Sequence, residues 1–128
     1  MRWLRREAAS LPGWVGWDHV YASVLLRVET LRTIDRIRLS AAVDDAKVAE
    51  LMARARAVFD VVDFVPLSAA ILSRASQSFL TALGTLDALH LSTALRLVEA
   101  GSIELTFLTH DAELAVAARG VSLPVEGA

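Results

Sequence analysis

The stretch Thr85-Leu86-Asp87-Ala88-Leu89-His90-Leu91-Ser92-Thr93-Ala94-Leu95-Arg96-Leu97-Val98-Glu99-Ala100-Gly101, with Ile103 to Thr109 and then His110-Asp111 behind it, decides the fold. Thr85 is placed to cap a helix over Leu86–Ala100, and Gly101 stands at its expected stop. This helix is the most apolar segment of the chain, with few positions fit to face water. The run Leu105-Thr106-Phe107-Leu108 that follows does not alternate polar with apolar residues. It suits a strand buried on both faces. A buried helix followed by a doubly buried strand belongs to a parallel sheet covered by helices.

The flanking segments repeat the alternation. His19-Val20-Tyr21-Ala22 reads as a strand, and Ser23 as the cap of a helix running to about Arg38, with Leu25, Val28 and Leu31 on its apolar side. Ser40 opens a second helix to about Ala57. Val61-Val62-Asp63-Phe64-Val65 is rich in β-branched residues and is ended by Pro66, so it reads as a strand. Ser68 caps a helix reaching about Phe79. Asp111–Arg119 reads as a short helix closed by Gly120, and Val121–Val125 as a last strand. Residues 1–9 read as helix, stopped by Leu11-Pro12-Gly13. The expected fold class is α/β, with one central parallel sheet flanked by helices.

Composition narrows the function. The chain of 128 residues suits a single domain, and its 55% hydrophobic content supplies ample core. The net charge of −2 makes it no general polyanion binder, so contact with nucleic acid needs a local basic patch or bound cations. With no cysteine there is no disulfide and no thiolate metal site. No run of about 18 uncharged apolar residues offers a membrane span, and the basic start is not followed by an apolar signal core. The expected location is the cytoplasm.

Three of the 15 acidic residues stand apart from solvated helix faces. Glu29 interrupts an apolar helix, Asp87 lies in the first turn of the most apolar one, and Asp111 directly follows a buried strand. Asp87 and Asp111 therefore fall at the carboxyl ends of strands and the amino ends of helices, where α/β sheets bind ligands and the helix dipole favours an anion. If the three met, two carboxylates ~4 Å apart would repel by roughly 4 kcal/mol at an effective dielectric near 20, and the cluster would draw protons or cations. Oxygen ligands without sulfur suit Mg²⁺ or Mn²⁺, which can activate water and stabilise charge on a phosphodiester. The alternative for each is purely structural: an Asp in a first turn is also a dipole partner or cap, and one after a strand is also a turn former.

At these residues the chain resembles the PIN-domain family, in particular the VapC ribonuclease toxins of type II toxin–antitoxin pairs. The similar stretches are Ala22–Glu29, Thr85–Ala94 and Phe107–Leu114, with Gly120–Val125 also fitting, so the resemblance spans nearly the whole chain as one domain. It implies a PIN-like three-layer sandwich and a Mg²⁺- or Mn²⁺-dependent endoribonuclease. It also implies a site built on Glu29, Asp87 and Asp111, with Thr109 as a supporting polar residue. A cognate antitoxin, an RNA substrate and a homodimer are the implied partners.

The family opens with a central strand ending in an aspartate, and nothing here matches it. The expected fold is thus N-terminally incomplete, its first strand missing and the neighbouring strands left with unpaired edges. Weak or absent cleavage is expected, and a catalytically inactive remnant that binds an antitoxin or dimerises is the competing reading. No nucleophile motif or Gly-rich phosphate loop supports an unrelated hydrolase. His90 reads as a packed helical histidine and His110 as an exposed turn residue. Arg27, Arg32, Arg36 and Arg38 form a candidate basic stripe. Trp3, Trp14 and Trp17 are candidate stacking or partner-contact residues.

Overall fold

The computed structural model describes residues 19–40, 43–101 and 104–127. Their elements run β1 (Tyr21–Ser23), α1 (Leu25–Leu39), α2 (Asp45–Val61), β2 (Asp63–Val65), α3 (Ala69–Ala75), α4 (Thr85–Gly101), β3 (Phe107–Leu108), α5 (Ala112–Gly120) and β4 (Val125–Glu126). The chain is therefore α/β, mostly helical with short strands, and both strand pairings are parallel. The expected helix over residues 1–9, and the three tryptophans, lie outside the described residues.

Each half follows the crossover rule for parallel strands. β1 returns to β2 through the α1–α2 hairpin, with Tyr21 opposite Asp63 and Ser23 opposite Val65. β3 returns to β4 through α5, with Phe107 opposite Val125. One continuous sheet was expected. Among the described residues the four strands instead form two separate pairs, β1 with β2 and β3 with β4. One member of each pair is the more buried. Ala22 and Ser23 of β1, and Phe107 and Leu108 of β3, are buried, whereas β2 and β4 are partly exposed.

Helix α4 is central to the packing. Eight consecutive residues, Ala88 to Leu95, are buried, so this helix is enclosed on all sides as its composition predicts. Leu91, Ala94 and Leu95 join Ala22, Leu26, Val58, Phe107, Leu114 and Leu123 in one core, so both strand pairs share it. Burying a leucine such as Leu91 contributes about 1.5–3 kcal/mol relative to leaving it in water. On α1 the buried residues are Leu26, Thr30 and Ile34, one per turn along a single stripe.

The helix ends correct several sequence expectations. Ser40 does not open α2. It terminates α1, donating its hydroxyl to Ile37 O. The cap of α2 is Asp44, whose Oδ1 accepts from Lys47 N at 2.8 Å. Val61 closes α2 instead of opening a strand. Ser68 caps α3 as expected, through Ile71 N at 3.2 Å, but that helix ends at Ala75. Among the described residues of the strand expected over Ile103–Thr109, only Phe107–Leu108 form strand, and the last strand lies at Val125–Glu126.

Gly120 does not hold the left-handed position after α5; Ser122 does, with φ 67°. Leu123 N donates to Ala118 O and Ser122 N to Arg119 O, both at 3.0 Å, and buried Leu123 packs into the core. These are the paired bonds of a Schellman closure, with serine where glycine is usual.

Candidate functional site

Two strand ends have the same local construction. At the carboxyl end of β1, fully buried Ser23 accepts Leu25 N on its hydroxyl at 3.2 Å. At the carboxyl end of β3, fully buried Thr109 accepts Asp111 N on its hydroxyl at 3.1 Å. Each hydroxyl turns the backbone from strand into the following helix. Ser23 is not the cap of α1 that the sequence suggests: the residue before the helix is Val24, which carries no side-chain cap, and the Ser23 hydroxyl serves the turn into it instead.

Asp111 is the N-cap of α5. Its Oδ1 accepts Leu114 N at 2.9 Å, and its backbone carbonyl accepts Ala115 N. Thr109 and Asp111 thus form a short relay from the end of β3 into the positive end of α5. Asp87 lies half-buried in the first turn of α4, as read from the sequence.

Glu29 lies in the second turn of α1, half-buried, and its carboxylate meets His90 Nε2 at 2.5 Å. His90 stands one turn beyond Asp87 on α4. The structure therefore brings Glu29, from a segment 61 residues away, to the turn of α4 that follows Asp87. Sequence reasoning placed His90 in the core, and its side chain is 6% exposed. What it missed is the partner. A histidine three positions after Asp87 is visible in the sequence, but nothing local signals a carboxylate from α1.

Thr33 Oγ1 donates to Glu29 O, and Thr93 Oγ1 to Leu89 O, so neighbouring hydroxyls are absorbed by their own helices. The fully buried Ser92 Oγ has no hydrogen-bond partner among the described residues.

The donor set of Glu29, Asp87, Asp111 and Thr109 has the chemistry a hard divalent cation prefers. Its assembly is another matter. Among the described residues, no three His, Cys, Asp or Glu side chains are grouped so as to hold a metal ion.

The other candidates are mostly engaged within the fold. Arg32 and Arg38 both pair with Asp35, at 3.1 and 2.7 Å, and pull its carboxyl below the usual range, the Arg38 hydrogen bond being the main cause. Arg36 donates to Thr33, and Arg27 lies over the Phe59 ring. Each arginine of the basic stripe thus has a partner within the fold, while the single Asp35 carboxylate offsets only one of the four charges. His110 is exposed, its Nδ1 3.1 Å from Gly127 O, as the turn reading had it. His19 pairs with exposed Asp63. Among the described residues, no helix is long and apolar enough to cross a membrane.

No protein-family model, no curated protein and no solved structure matches this chain.

Proposed function

We propose that the chain is a PIN-like domain of the VapC type, a metal-dependent endoribonuclease toxin whose site is formed by Glu29, Asp87 and Asp111, with Thr109 beside them. The observation that carries this reading is the Glu29–His90 bond. It ties the Glu29 carboxylate of α1 to His90 of α4, one helical turn after Asp87. Asp111 leaves the carboxyl end of β3, the kind of place where parallel sheets gather ligand residues.

In this reading Mg²⁺ or Mn²⁺, when bound, supplies an activated water and charge neutralisation at the phosphodiester. The three carboxylates hold and orient. Asp111 is positioned by Thr109 and the α5 backbone, and Glu29 by His90. The RNA backbone is the substrate, and a cognate antitoxin and a second copy of the chain are the partners. The protein acts in the cytoplasm.

A second reading is a non-catalytic module that binds an antitoxin or dimerises. It is favoured by one observation, the absence of a three-ligand group among the described residues. Incubating the chain with RNA in Mg²⁺ or Mn²⁺, with chelator controls, separates the two. The enzyme reading expects cation-dependent cleavage that Asp87→Asn abolishes, because the replacement removes a charged ligand of the cation. Equal cleavage by wild type and variant would remove Asp87 from the mechanism. No cleavage by wild type under any cation would favour the binding module.

A further inference from the structure

The proposed acidic site leaves one buried titratable side chain unexplained. His90 lies inside the most enclosed part of α4, between Leu89 and Leu91, both buried. An imidazole there loses its water and must recover hydrogen bonding from the protein. It does so with a carboxylate that is itself only 23% exposed and belongs to a different helix. A glutamate side chain loses rotamer freedom when it is fixed, so holding it still requires a specific contact. Carboxylates that serve as ligands are commonly held by such an outer hydrogen bond.

From this arrangement we infer that His90 is a positioning residue: its Nε2 fixes the Glu29 carboxylate between α1 and α4, one helical turn from Asp87. The inference rests on the proposed reading of the site for its consequence, but the contact itself can be tested without a cation. The cations nearest in sequence to Glu29, Arg27 and Arg32, are taken up by Phe59 and Asp35.

The test compares wild type with His90→Gln, His90→Leu, Glu29→Ala and the Glu29→Ala/His90→Leu double variant. In metal-free buffer, hydrogen bonds to charged groups contribute about 1.5–3 kcal/mol, so each truncation lowers the folding equilibrium constant by roughly 10- to 150-fold. The double variant is expected to fall little below the worse single variant. Losses that simply multiply overturn the inference.

Calorimetric titration with Mn²⁺ supplies the second readout. His90→Leu is expected to bind roughly 10–100-fold more weakly, as for other outer partners of ligands. His90→Gln, whose amide nitrogen can donate to the same carboxylate, is expected to regain most of the affinity. Wild-type affinity in His90→Leu, or equal loss in His90→Gln, overturns the positioning role. Failure of wild type to bind Mn²⁺ at all would instead sink the nuclease reading, while the metal-free coupling still decides whether His90 holds Glu29.

Discussion

Asp111 has two duties in this account, and they can be separated by choosing the replacement. As N-cap it satisfies Leu114 N through Oδ1, and as an anion it faces the positive end of α5. Asparagine preserves the acceptor and loses the charge; alanine loses both. Loss of an N-cap costs about 1 kcal/mol within a range of ~0.5–2. Loss of the charge–dipole interaction costs about 0.3–1 kcal/mol at a partly exposed position. Asp111→Asn should therefore cost only the smaller amount, and Asp111→Ala about 1–3 kcal/mol. For a domain of this size, a change of 1 kcal/mol shifts the melting temperature by about 4 °C. Thermal unfolding followed by circular dichroism should then show Asp111→Asn within about 4 °C of wild type, and Asp111→Ala lower by about 4–12 °C. Cleavage assays on the same samples are expected to show loss in both variants, including the thermally intact asparagine one. If Asp111→Ala melts with wild type, the capping argument is wrong. If Asp111→Asn cleaves RNA as wild type does, the residue is a cap and nothing more.

Ser122→Gly should stabilise the chain by up to about 1 kcal/mol, because glycine adopts the left-handed closure of α5 without steric cost; a lower denaturation midpoint would mean the serine is held by something other than backbone strain. Ser92→Ala should be neutral or raise stability by about 1 kcal/mol, since it removes a buried hydroxyl with no partner among the described residues; clear destabilisation would reveal a bond to Ser92. Asp35→Asn should lower stability at neutral pH and not in acid. The folded-state pKa of Asp35 is depressed, so its contribution is present above the ordinary carboxylate range and disappears as pH falls through the folded value. Melting curves at neutral and acidic pH that differ from wild type by the same amount would contradict this.

How much of this was legible in the sequence depended on the range of the interaction. α4 and the start of α5 were readable because their signals are local: an uninterrupted apolar run in one case, and an Asp just before a helix in the other. The start of α2 was misread because Ser40 and Asp44 are both good capping residues. Which helix end the Ser40 hydroxyl serves is settled by its bond to Ile37 O. Gly120 does end α5, as residue preference suggests, but the left-handed closing residue is Ser122, two positions on, which no local preference marks. The strand around Phe107 shrank to two residues because apolar content marks burial, while strand assignment needs a partner, and only β4 supplies one among the described residues. The Glu29–His90 bond has no sequence signal at all. It arises from packing α1 and α4 on the same core, and no periodicity within either helix encodes the other.

The account turns on whether carboxylates from α1, α4 and the end of β3 can share one cation. The direct measurement is an anomalous difference map from crystals of this chain soaked in Mn²⁺. The account predicts a single strong peak within coordination distance of Glu29, Asp87 and Asp111. A map with no peak there, or with Mn²⁺ bound only elsewhere, would contradict it.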